Sequence, residues 1–207
     1  MRRVMVFALV VGAAVAAWAA DNAPPEGFTA LFNGKDLTGW GTREGKEPSG
    51  QQVAQWKIAD GITQYTGKDG DLWTRKSYKD FVLMAEWRLP EAGDSGIYLR
   101  GYPKCQVNIW INAMGSGEVY GYRVDRNLPD EIQKAATPTK KADKKVGEWN
   151  AFVITVKGDR MTVELNGEKV IDGLQIPNCP AEGPIGLQNH GDPVEFRNIY
   201  IKELKAE

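Results

Sequence analysis

The only histidine of the chain, His190, stands in the stretch GPIGLQNHGDPVEFRNIYIKEL, residues 183–204. Imidazole is the side chain that exchanges a proton near neutrality without help from its surroundings. Three roles are therefore open to it: general base, metal ligand, or the polar end of a strand paired with Asp192. As a metal ligand it would need oxygen partners, and Glu86, Asp94, Glu118 and Asp192 are the candidates. That donor set suits a hard divalent cation such as Ca2+ or Mg2+, not zinc. Other chemistries fall away. There is no G-x-S-x-G and no second histidine for a nucleophile triad, and the GSG at 115–117 precedes no helix that would cradle phosphate. A conventional glycosidase needs two carboxyl groups about 5–9.5 Å apart across one bond. The strands around the histidine offer Glu86 alone, and no Glu-x-Asp-x-Glu pattern occurs.

The elements that must position these groups are strands. From Phe28 onward, short alternating segments are separated by Gly, Asn, Asp and Pro, the mark of an all-β domain. Alternation also sorts side chains onto faces. In DFVLMAEWRLP, residues 80–90, Phe81, Leu83, Ala85, Trp87 and Leu89 point inward, leaving Glu86 and Arg88 outside. In GIYLR, Ile97 and Leu99 are inner, Tyr98 and Arg100 outer. In CQVNIWI, Cys105, Val107, Ile109 and Ile111 are inner, with Gln106, Asn108 and Trp110 outer. In IGLQNH, Ile185 and Leu187 are inner, Gln188 and His190 outer. The outer set thus holds guanidinium groups, planar amides and aromatic rings but no lysine. Such groups recognise sugars: amides and guanidinium groups bond hydroxyls, and pyranose faces lie on aromatic rings. Trp40, Trp73 and Trp110 are each open to two readings, a platform for a sugar or a core or rim residue, whereas Trp56 and Trp87 belong to the core. The competing expectation is a solvated face of mutually satisfied surface pairs.

Gly158-Asp159 and Asn166-Gly167 read as tight hairpin turns, Asn-Gly being suited to type I′. The lysine-rich stretch 130–145 reads as an exposed loop with room for one helical turn. With no internal repeat and one style of alternation throughout, the expectation is a single two-sheet β-sandwich. Residues 1–19 read as a secretory signal peptide: Arg2 and Arg3, an apolar run, then Ala17-Trp18-Ala19 before the cleavage point. Periplasmic or secreted localisation follows, with no membrane contact after cleavage. The formal net charge is −1, and loss of Arg2 and Arg3 takes it to −3. Neither value favours nucleic acid or an acidic membrane. Cys105 and Cys179 are left, either paired in an oxidising compartment or as buried thiols.

Four blocks carry a resemblance: GFTALFNGKDLTGW, GDSGIYLRG, GEWNAFVITVKGDRMTVELNGEKV and the closing GPIGLQNHGDPVEFRNIYIKEL. Together they resemble the 3-keto-disaccharide hydrolase family, within the concanavalin A-like lectin/glucanase superfamily, over a domain spanning 27–205. The resemblance implies a two-sheet antiparallel jelly roll acting on a saccharide substrate already oxidised at C3. One departure stands out. Where family members carry a Glu-containing strand after the SGI-LR block, this chain reads CQVNIW, with Cys105 or Asn108 at that place.

A ketone at C3 acidifies the C2 proton, and its removal allows the C1 oxygen to be expelled, with or without rehydration. The chemistry asks for a base, a cation beside the enolate oxygen and a proton donor. His190 is expected as the base or as holder of a metal, Arg100 or Arg88 as the cation, and Tyr98 or Glu86 as the donor. Gln106, Asn108, Trp110, Gln188 and Trp73 are expected to bind the sugar. A non-catalytic carbohydrate-binding module is the alternative that would use the same face.

Overall fold

Alternating burial builds both layers of the fold. The computed structural model describes residues 22–65 and 70–205, so the expected signal peptide lies outside the described residues. In chain order the strands are β1 (Thr29–Ala30), β2 (Trp40–Gly41), β3 (Trp56–Ala59), β4 (Ile62–Tyr65), β5 (Leu72–Thr74) and β6 (Phe81–Arg88). There follow β7 (Ser95–Leu99), β8 (Tyr102–Ile109), β9 (Asn150–Lys157), β10 (Arg160–Leu165), β11 (Glu168–Gln175), β12 (Gly186–Leu187) and β13 (Val194–Glu203). The larger sheet runs β11-β10-β9-β6-β13-β4-β3, with β1 also on β13; the smaller runs β2-β5-β12-β7-β8. Every pairing between these strands is antiparallel. The result is the expected open jelly-roll sandwich.

The inner sets read from alternation fill the space between the sheets. Phe81, Leu83, Ala85 and Trp87 of β6 face Ile97 and Leu99 of β7, and Cys105, Val107 and Ile109 of β8 join them, all buried. Burying side chains of this size stabilises by about 1.5–3 kcal/mol each. Trp40 belongs to this core, not to a binding face: it is 1% exposed and its indole N–H donates to the Leu31 carbonyl at 2.7 Å. Both expected hairpins form, with Lys157 opposite Arg160 and Leu165 opposite Glu168. Asn166 and Gly167 take φ of 54° and 82°, as a type I′ turn requires.

Three short helices interrupt the strands. Helix α1 (Gly50–Gln55) starts at a capping box made by Ser49 and Gln52. The segment after β8 holds α2 (Tyr120–Arg123) and α3 (Asp130–Ala135), the latter being the helical turn anticipated within 130–145. Cys105 and Cys179 are free thiols in hydrogen-bonding contact. That contact and then burial push the Cys105 thiol up, while Cys105 and Arg100 draw Cys179 down.

Candidate functional site

The site grows out of strand register on the outer face of the smaller sheet. Trp73, Gly186, Tyr98 and Gln106 are successive Cα partners on β5, β12, β7 and β8. Beside that row runs a second, in which the Gln188 N–H donates to the Gly96 carbonyl at 2.8 Å and Gly96 is partnered by Asn108. Two glycines make room for the large side chains. A Cβ on Gly186 would fall 2.6 Å from the Trp73 ring, and one on Gly96 would fall 2.2 Å from the Gln106 amide nitrogen. Trp73 therefore lies flat across Gly186 and stacks on Tyr98, centroids 5.2 Å apart and planes 9° from parallel. The Gln106 amide lies over Gly96 and donates to Gln188 Oε1.

A cavity of about 280 Å³ opens above these rows, lined by Asp94, Gln106, Asn108, Trp110, Tyr120, Gln188 and His190. Trp110 and Tyr120 stand 43% and 45% exposed, aromatic faces presented where a sugar ring could lie. Asn108 donates to Glu118 Oε1 at 3.0 Å, and the buried Glu118 also accepts from Arg123. A buried carboxylate is thus supplied by the segment after β8, with both oxygens engaged. The Nδ1 of His190 lies 3.8 Å from Asp192 Oδ2, the same oxygen that accepts the Asp94 backbone N–H at 2.8 Å.

Electrostatics separate the acids of this face. Burial raises the Asp94 carboxyl, with His190 pulling it down and Asp192 and Glu118 pushing it up. Its side chain accepts no hydrogen bond among the described residues. Asp71 is likewise raised by burial, partly offset by the Asn189 N–H that it accepts at 2.9 Å. Tyr98 is pushed up to about 12 by burial and then by Asp71, so its hydroxyl keeps its proton at neutral pH.

Of the residues expected from sequence, His190, Gln106, Asn108, Trp110 and Gln188 line the cavity together. Tyr98 and Trp73 occupy the adjoining row. Glu86 and Arg88 do not share the face, because β6 belongs to the larger sheet. On that sheet's outer surface Glu86 pairs with Arg197 at 2.6 Å and Arg88 pairs with Glu195. Both arginines lie over the Trp149 ring, at 4.8 Å for Arg88 and 4.1 Å for Arg197. There the expectation of satisfied surface pairs holds. Arg100 also departs from the face. Its φ of 50° and a register shift between Tyr98 and Leu99 turn the side chain away, and it is buried beside Asp80 at 3.0 Å.

Sequence reasoning named Asp94 only as a metal donor, although it shares parity with Gly96 and Tyr98 and was findable on that ground. Tyr120 lies in a segment without alternation, where no such signal exists. The metal donors proposed from sequence do not fit an ion. Glu86 is on the other sheet, both Glu118 oxygens are taken, and no group of three or more His, Cys, Asp or Glu able to hold one occurs among the described residues.

A model of the 3-keto-alpha-glucoside-1,2-lyase-like domain matches residues 27–202. The chain belongs to this family. Within reach of this 3-keto-alpha-glucoside-1,2-lyase-like domain is a 3-keto-disaccharide hydrolase of Bacteroides thetaiotaomicron, 26% identical over an alignment taking in 86% of this chain and 79% of that protein. A glycosyl-hydrolase candidate from Parabacteroides distasonis superposes with a TM-score of 0.67 at 25% identity, covering 89% of this chain and all of that one. Carbohydrate-binding module CBM66 of Bacillus subtilis superposes at 0.53 and 19% identity, over 80% of this chain and 96% of the module, and shares the fold.

Proposed function

We propose that this chain cleaves 3-keto-glycosides by removing the C2 proton and expelling the C1 oxygen, with or without later addition of water. The observation that carries this is the convergence of His190, Asp94 and Gln188 with two exposed aromatic rings around one sugar-sized cavity. His190 takes the C2 proton, and Asp192 beside it stabilises the imidazolium that results. Gln188, whose carbonyl is occupied by Gln106 and whose amide also bonds the Tyr98 oxygen, directs its remaining N–H to the C3 oxygen as enolate charge develops. Asp94, whose raised carboxyl holds a proton more readily than an exposed one, passes that proton to the departing C1 oxygen. Trp110 and Tyr120 hold the ring. The family and the named hydrolase support sugar cleavage, and the basic-then-apolar start at residues 1–19 supports export to the periplasm or beyond.

A binding module is the second possibility, favoured by the shared fold of CBM66 and by the exposed Trp110 and Tyr120. One assay separates the two. Incubation with a 3-keto-glucoside should release free sugar and an enone absorbance, and His190→Ala should slow this by about 100- to 10,000-fold. Wild-type rates in the variant would rule out the base, and affinity without turnover in the parent protein would leave the module.

A further inference from the structure

We propose that the cleft continues past the sugar pocket into a second subsite that takes a flat, uncharged, apolar aglycone. The inference rests on the glycoside cleavage proposed above. A cavity of about 610 Å³ lies beside the sugar pocket, bounded by Pro103, Lys104, Gln106, Tyr120, Val124 and Asn127 among others. Gln106 and Tyr120 also line the sugar pocket, so the two form one continuous cleft with Tyr120 at the divide. A ring held in the first cavity would present its C1 substituent to the second.

The chemistry of the second cavity differs from that of the first. Five large apolar side chains are exposed among the described residues, and three of them, Trp110, Tyr120 and Val124, line this one cleft. Such clustering marks a binding surface, whereas scattered exposure does not. Most polar groups nearby are engaged with one another; Arg126, also in the lining, makes no ion pair or side-chain hydrogen bond among the described residues, and its planar guanidinium suits a flat ring. Lys104 Nζ sits 2.6 Å from Asp125 Oδ2, and Asn127 donates to Asp125 Oδ1 at 3.1 Å. Gln106 is committed to Gln188. A second sugar would find few unengaged donors and acceptors for its hydroxyls, while an aromatic or aliphatic group would cover Tyr120, Pro103 and Val124. The wall is preformed, because buried Tyr122 anchors α2 by donating to the Pro177 carbonyl at 2.9 Å.

The test compares kcat/KM of the full chain for benzyl 3-keto-glucoside, methyl 3-keto-glucoside and a 3-keto-disaccharide, in wild type and Val124→Asp; benzyl and methyl alcohols are leaving groups of similar basicity, so their contrast reads binding of the ring. Benzyl should be preferred over methyl by about tenfold or more, through KM, and Val124→Asp should bring that ratio towards one. Val124→Ser repeats the comparison should a carboxylate beside Asp125 disturb the helix end. A wild-type ratio near one, an unchanged ratio in both variants, or preference for the disaccharide would overturn the subsite. Calorimetric binding of unoxidised benzyl and methyl glucosides keeps the two proposals apart. If no 3-keto-glycoside is turned over, the cleavage falls, and the binding contrast decides the subsite alone. A benzyl preference lost in Val124→Asp upholds it, and equal binding overturns it.

Discussion

Asp94 and His190 are neighbours in the site but stand in opposite circumstances. His190 is exposed at the rim, whereas Asp94 is half-buried, with no hydrogen bond to its carboxylate among the described residues. Burial lifts that carboxyl above its ordinary 3.8. A carboxyl raised in the native state binds its proton more tightly folded than unfolded. It therefore favours the fold at pH values below its ordinary one, and that contribution disappears as pH rises through the raised value. Above this window the ionised carboxylate is a net cost to the fold. Asp94→Asn removes the cost, so the variant should melt about 2 °C higher than wild type at neutral pH, a small shift because half-burial leaves much of the charge screened. The two melting curves should converge below about pH 4. Turnover should fall in the same variant, since an amide cannot pass the proton on. A destabilising group kept where chemistry needs it is the usual exchange of stability for activity. Identical melting of both proteins at every pH would show that the carboxyl carries no strain.

At the scale of elements, the floor of the site depends on glycines facing aromatic and amide side chains. Gly186→Ala places a methyl group 2.6 Å from the Trp73 ring, and the indole must lift from Tyr98. Urea melts should register a loss of about 1–3 kcal/mol, the usual cost of overpacking. A change in tryptophan emission should accompany it, and unchanged emission and stability would mean that the ring does not rest on that glycine. Strand faces were largely legible in the sequence, as the inner residues of β6, β7, β8 and β12 are all buried as alternation predicts. Alternation separates inside from outside, but a sandwich has two outsides. Nothing in the spacing of Glu86 and Arg88 says which sheet β6 joins, and they fell on the far one. The parity of Arg100 was broken by a left-handed backbone that a non-glycine residue seldom adopts. Tyr120 and Arg123 belong to a non-alternating segment that packs on β8, where Val119 bridges Val107.

For the whole molecule, Arg100 acts as a staple between the layers. It follows β7 in the smaller sheet, and its guanidinium donates to the Lys79 carbonyl at 2.7 Å and to the Gly158 carbonyl at 2.8 Å. It also reaches the Pro180 carbonyl at 3.2 Å and Asp80 Oδ1 at 3.0 Å. Lys79 and Asp80 lead into β6, and Gly158 forms the turn between β9 and β10, so these bonds tie the larger sheet to the smaller at one end. Asp94 precedes β7 and Arg100 follows it, which sets the staple at the opposite end of that strand from the reacting groups. Arg100→Ala would remove the buried guanidinium from three carbonyls and leave Asp80 with the Gly158 N–H at 2.8 Å in place of its cation, at a cost of about 3 kcal/mol in stability. Arg100→Lys should recover part of this, since an ammonium supplies the charge but not the planar fork that serves several acceptors at once. Assayed well below their melting temperatures, both variants should turn over a 3-keto-glucoside within about twofold of wild type, the stability loss being structural. If Arg100→Ala instead melts like wild type and fails to turn over, the guanidinium reaches the enolate after all, and the role suggested by its place in GDSGIYLRG is restored.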